Sequence, residues 1–182
     1  MKIILSGSKG VGKDTFADIL VKDYNFIKCA FADKIREQIK FLLQLKNDNE
    51  YDIVKRSKLL MLNHPGREHL IDGRHLVREI GMLMLSYDQQ QFTKYVLDIF
   101  DHNEDVVVTD MRFDHELAAM QSVRMLPHIK FIKLIDSNIE GDDHITEKGF
   151  SDKIFDHIID NSEKNLDHLK QQIAQTLKGN YV

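Results

Sequence analysis

Residues 7–15 read Gly-Ser-Lys-Gly-Val-Gly-Lys-Asp-Thr, between the apolar run Ile3-Ile4-Leu5 and the helix-like stretch Phe16-Ala-Asp-Ile-Leu-Val21. No other feature restricts the fold as much. Gly7, four intervening residues and then Gly12-Lys13 form a phosphate-binding loop, and that loop has meaning only between a strand and a helix. Glycines let the backbone curl until successive N–H groups face inward, where no Cβ blocks an approaching phosphate oxygen. The helix that follows adds the positive end of its dipole, and Lys13 supplies a point charge. Asp14 stands where Ser or Thr usually follows the lysine, and the hydroxyl arrives one residue later, at Thr15.

A strand–loop–helix start demands more strands of the same kind, and the chain provides them. Strands are expected at Lys2–Ser6, Phe26–Phe31, Asp105–Thr109, Ile129–Ile135 and Asp156–Asp160. The unbroken Val106-Val-Val108 is typical of a strand buried on both faces. Helices are expected at Lys13–Asp23, Ala32–Leu45, Asp114–Arg124 and Ser162–Lys178 from their apolar spacing, and a long, mostly helical stretch over Arg74–Phe100. Between them lie a polar break at Asn47–Glu50, a Lys/Arg-bearing segment at Tyr51–Leu62 and a turn at Asn63-His-Pro-Gly66. This alternation predicts an α/β fold: a central parallel sheet of about five strands with helices on both faces. The chain reads as one domain, 1–182, with a short insertion at 46–73 and a lid-like segment at 137–154.

Composition narrows the function. Charged residues are 30% and apolar residues 42% of 182 positions, and the formal net charge of −4 does not suit a broad nucleic-acid surface. The single cysteine, Cys29, excludes an intrachain disulfide and sits in an apolar stretch as a packing residue. No apolar run reaches membrane-spanning length, and the phosphate loop follows Met1-Lys2 so closely that no signal peptide is expected. The expected location is the cytoplasm. Zinc motifs and cysteine pairs are absent from the sequence.

In parallel sheets ligands bind beyond the carboxyl ends of the strands. Those ends carry Lys34 and Arg36, Asp110-Met-Arg112, His144-Ile-Thr-Glu147 and Asn161. Gly10, Val11, Gly12, Lys13, Asp14 and Thr15 are the candidates for ATP phosphates. Thr15 and Asp110 are the candidates for Mg²⁺, Asp110 through water or, alternatively, as a helix cap or arginine partner. Arg36, Arg74 and Arg112, three of the chain's seven arginines, suit an acceptor phosphate because a guanidinium fork holds two oxygens; the alternative for each is a surface ion pair, for Arg112 with Asp114 or Glu116. Asn161 suits an adenine contact or a turn.

Gly-Lys-Asp-Thr in the loop, Phe31-Ala-Asp33, Arg74 ahead of Gly81, Asp110-Met-Arg112 with Glu116, and His144-Ile-Thr-Glu147 occur in this order. Together they resemble the deoxynucleoside monophosphate kinases of tailed bacteriophages, from Met1 to about Lys178. The resemblance implies a P-loop kinase sheet, a homodimer, and transfer of the ATP γ-phosphoryl onto a deoxynucleoside 5′-monophosphate with Mg²⁺. It also implies a lid around His144 and Glu147, with Lys148 and Lys153 as the nearby cations, and the host cytoplasm for a phage-encoded chain. Two departures stand out: 46–73 is short for that family, leaving the base preference open, and Arg78 occupies a position where a glutamine is expected. Two other classes remain: a P-loop kinase of another phosphorylated metabolite such as phosphomevalonate, and a non-catalytic NTP-binding module.

Overall fold

A computed structural model describes residues 1–64, 67–123, 128–139 and 150–178. The chain forms two compact units: residues 1–31 with 93–182, and residues 32–92. The first unit is built on a five-stranded sheet of β1 (Lys2–Ser6), β2 (Ile27–Cys29), β5 (Val106–Val108), β6 (Ile129–Ile135) and β7 (His157–Asp160), in the order β2-β5-β1-β6-β7. Every neighbouring pair is parallel, with Ile4 of β1 opposite both Val108 of β5 and Phe131 of β6. The expected five parallel strands are all present, although β2, β5 and β7 are shorter than their expected spans.

Alternation along the strands decides which side each residue faces. Ile3, Leu5, Val107, Ile132 and Leu134 pack with Phe16, Ala17, Ile19 and Leu20 of α1 (Lys13–Tyr24) and with Leu169, Ile173 and Leu177 of α7 (Leu166–Lys178). Lys2 belongs to the opposite face, and its Nζ donates to the Phe100 carbonyl, 3.0 Å away, near the end of α5 (Gln91–His102). Helices therefore cover both faces. Among the described residues this unit also holds α6 (Asp114–Ser122), with Met120 fully buried.

The second unit holds α2 (Asp33–Leu42), α3 (Asp48–Arg56), the antiparallel pair β3 (Lys58–His64) and β4 (Arg67–Asp72), and α4 (Gly73–Tyr87). Two expectations change here. The polar residues 47–50 are a helix start: the Asn47 side chain accepts the Glu50 N–H at 3.0 Å while the Glu50 carboxylate accepts the Lys46 N–H at 2.8 Å. Such reciprocal capping satisfies amides that have no partner inside the helix. The stretch 74–100 is two helices, because the Asp88 carboxylate turns back to accept the Gln90 N–H at 2.8 Å and closes α4 before α5 begins. The Tyr51–Leu62 segment is divided between α3 and β3, and β3 and β4 flank the expected turn, of which Pro65 and Gly66 lie outside the described residues.

Leu5 is fully buried in the central strand. Leu5→Ala should lower stability by about 2–5 kcal/mol, the usual cost of truncating a buried leucine. The shift in denaturant midpoint, at unchanged slope, measures it.

Candidate active site

The loop between β1 and α1 has its shape set by two glycines. Gly7 has φ +140°, and a Cβ there would lie 2.2 Å from the Leu134 carbonyl oxygen of β6. Gly12 has φ +98°, and its Cβ would lie 2.4 Å from Asn161 Nδ2. Neither position tolerates a side chain. Lys13 begins α1, is 9% exposed, and folds back over the loop. Its Nζ donates to the carbonyl oxygens of Gly7 and Ser8 at 2.5 and 2.7 Å. The ammonium is thereby held at the loop, largely out of water.

Asp14 does not crowd the loop. Lys28 Nζ lies 3.0 Å from both Asp14 Oδ1 and Asp18 Oδ1. The Asp14 side chain is 83% exposed, directed to the β2 side of α1. Thr15, also exposed, follows it in the first turn.

Neighbouring β5 delivers Asp110 and Arg112 beside this loop. Ser6, the last residue of β1, is buried and its Oγ donates to the Met111 carbonyl at 3.2 Å. The Met111 N–H donates to the Leu5 carbonyl at 3.3 Å. Asp110 Oδ1 accepts the Phe31 N–H at 2.8 Å, fixing the carboxylate between the ends of β2 and β5. Arg112 is half-buried, and its own N–H donates to Glu116 Oε2 at 2.7 Å, as does the Phe113 N–H at 3.0 Å. Glu116 is 3% exposed. Burial foremost, and then the Asp110 charge, push its carboxyl up to about 8 against the pull of those two N–H donors and the Arg112 charge.

On the other side of β1, the ends of β6 and β7 are tied together. The Ser137 N–H donates to Ser162 Oγ at 2.8 Å, and Asn138 Nδ2 to the Ser162 carbonyl at 3.0 Å. Asp136 is buried, with Oδ1 accepting the Asn138 N–H at 2.9 Å and Oδ2 3.5 Å from Lys164 Nζ. Asn161, expected at an adenine or in a turn, donates its Nδ2 to the Val11 carbonyl of the loop at 2.9 Å. The first unit thus brings together Gly10 to Thr15, Asp110, Arg112 and Asn161 at one end of the sheet. Ser6, with its grip on Met111, and Asp136 escaped the reading of the sequence, although Asp136 follows an apolar strand just as Asp110 does.

Arg36 and Arg74 belong to the second unit. Arg36 Nη1 lies 3.5 Å from Asp33 Oδ1, with its guanidinium 5.4 Å from the Tyr51 ring centre. Arg74 is exposed in the first turn of α4, its N–H capped by Asp72 Oδ1 at 2.7 Å. Arg78 Nη2 lies 2.9 Å from His75 Nδ1. His144, Glu147 and Lys148 fall outside the described residues, and Lys153 sits exposed in a 3₁₀ turn, Asp152–Ile154. Among the described residues no group of three or more His, Cys, Asp or Glu could hold a metal, and no helix is long and apolar enough to cross a membrane.

The loop, its lysine and the parallel sheet with its strand ends converging on them give the fold class, that of the P-loop kinases. Within that class, residues 84–173 match the family described as deoxynucleotide monophosphate kinase. The matched segment contains Asp110, Arg112, Glu116 and Asn161, while the phosphate loop lies outside it. Among solved structures, a Chloroflexus aurantiacus protein provisionally named a kinase aligns at 14% identity and TM-score 0.49, over 98% of this chain and 96% of its own. Shikimate kinase of Aquifex aeolicus aligns at 15% and 0.48, over 100% and 99%. A sugar kinase of Janibacter aligns at 11% and 0.46, over 97% and 94%. Likeness at that level says nothing about the substrate of this chain. No curated protein matches it.

Glu116 makes the first unit's stability depend on pH. A carboxyl raised in the folded state to about 8, from an ordinary 4.5, stabilises fully below the lower value. That contribution is lost as pH rises through the upper one. Urea midpoints of the nucleotide-free protein should fall between about pH 5 and pH 9, and Glu116→Gln should flatten the slope.

Proposed function

We propose that the chain moves the γ-phosphoryl group of ATP onto deoxynucleoside 5′-monophosphates, giving the diphosphates. The observation that carries this reading is the family match over 84–173, because it lies apart from the phosphate loop and covers Asp110 to Glu116. Two separate stretches of chain thus point to one chemistry.

In this reading the amides of Gly10 to Asp14 receive the donor phosphates, and Lys13 exchanges the Gly7 and Ser8 carbonyls for β/γ-phosphate oxygens. Arg112, beside Ser6 and the loop, faces the transferred group. Arg36 and Arg74 hold the acceptor phosphate, with His144 and Glu147 closing over it. Phosphoryl transfer needs little beyond positioning and charge neutralisation, so no covalent intermediate is required. The Thr15 hydroxyl, in the first turn of α1, and the Asp110 carboxylate, just beyond β5, are hard oxygen donors of the kind that suits Mg²⁺. Mg²⁺ would neutralise charge on the bridging phosphates. Asp110 would hold it, through water, from the fixed position that its bond to Phe31 provides.

ADP release with ATP, Mg²⁺ and each nucleoside monophosphate in turn is the direct test. At least two deoxynucleoside monophosphates should accelerate release, since the clamp grips the phosphate they share. Turnover with no nucleotide, but with another phosphorylated metabolite, overturns the substrate assignment. ATP binding without any acceptor-stimulated turnover overturns the enzyme.

Lys13→Ala should lower kcat on the order of 10²–10³-fold, as does loss of a preorganised charge at a transferring group, with an unchanged melting profile. Arg74→Met and Arg112→Met should each raise the acceptor KM roughly ten- to a hundredfold, the worth of one charge-assisted hydrogen bond. Arg112→Met should also lower kcat, while ATP affinity measured without acceptor stays put in both.

A further inference from the structure

We propose that Asn161 is a positioning residue of the donor site, one that aims the Gly12 N–H at the phosphates by holding the Val11 carbonyl. The inference deepens the P-loop reading above and rests on it. Its ground is the geometry of one peptide unit. Asn161 Nδ2 donates to the Val11 carbonyl at 2.9 Å, across 150 residues of sequence. In a planar trans peptide the C=O and the following N–H point in opposite directions. Pinning the Val11 oxygen toward β7 therefore turns the Gly12 N–H to the other side, into the loop.

The Gly12 carbonyl is held by the Phe16 N–H at 2.9 Å, which fixes the peptide after Gly12 and not the Val11–Gly12 peptide before it. Gly12 has no Cβ, sits at φ +98° as the cap of α1, and has no side-chain hydrogen bond to stabilise that conformation. Asn161 also occupies the space a Gly12 side chain would take, 2.4 Å from its Cβ position. The tether is anchored in turn: the Asn161 N–H donates to the Ile135 carbonyl at 2.9 Å, and its carbonyl accepts the Lys164 N–H at 3.0 Å. Ser137, Asn138 and Ser162 lock the same two strand ends together. Asn161 is thus a fixed post against which the loop is set before any anion arrives.

The test uses the full chain, with Asn161→Asp as the main variant. Aspartate keeps the shape but, ionised, offers Val11 only an acceptor. Two probes separate this role from a contact with adenine: MgATP, and tripolyphosphate, which has no base. Affinity for both should fall roughly ten- to a hundredfold, as expected when a buried carbonyl loses its donor. A loss confined to ATP overturns the proposal in favour of base contact. Wild-type affinity for both probes overturns it as well.

Val11-Gly12 is the only Val-Gly pair in the chain, so carbonyl-¹³C valine with ¹⁵N glycine gives a single correlated amide signal. That signal should move downfield when tripolyphosphate binds the wild-type protein and move far less in the variant. An equal shift in both overturns the proposal. Should Asn161→Asp melt early, Asn161→Ala, which adds no charge, is read in the same way. If the Asn161 variants weaken tripolyphosphate while no deoxynucleotide serves as acceptor, the substrate assignment fails and the positioning role stands.

Discussion

Parallel pairing of β1 with β5 on one side and β6 on the other is the constraint from which the site follows. Because the middle strand is hydrogen-bonded along both edges, all five carboxyl ends arrive at the same rim. Ser6 and Leu5 then reach across to Met111 in one direction, and Leu134 presses on Gly7 in the other. A shift of β1 by one residue would turn Ile3 and Leu5 away from α1 and α7 and bring Lys2, Ile4 and Ser6 into their place. The apolar core therefore holds the phosphate loop in register.

Charge at this rim is arranged by burial as much as by pairing. Lys13 keeps its ammonium on two carbonyls, Asp110 is fixed by one amide, and Glu116 by two. Two carboxyls so close would repel if both ionised, and the raised Glu116 relieves the conflict by keeping its proton at neutral pH. A neutral carboxyl oxygen still accepts both N–H groups, so the 110–113 loop keeps its shape. Asp14, the unusual residue after the lysine, is drawn outward by Lys28, which removes a carboxylate from the neighbourhood where phosphates are expected.

The first unit was readable from the sequence because its signals are strong and local. Val106-Val-Val108 announces a buried strand, three glycines and a lysine announce the loop, and Lys2–Ser6 and Ile129–Ile135 match their strands end to end. The second unit was readable only in part, its helix α2 lying within the expected span. Lys-Leu-Leu-Met-Leu-Asn-His at 58–64 lacks alternation and β-branched residues, so only its pairing with Arg67–Asp72 makes it a strand. The division of 74–100 depends on one aspartate folding back on its own backbone, which periodicity does not register. At the site, residue types marked Asp110 and Arg112. The tether from Asn161 to Val11 spans most of the chain, and only the folded structure discloses it.

Residues 32–92 leave the first unit after Phe31 and return at Thr93, and each unit carries its own hydrogen-bonded sheet. With a single cysteine in the chain, those two junctions are the only covalent links between the units. Such wiring separates two evolutionary risks. Loops and helix faces within 32–92 can be lengthened, shortened or recharged without altering the register of β1, β5 and β6. Variation within 32–92 is thereby kept apart in sequence from the phosphate loop and from the strands that carry it.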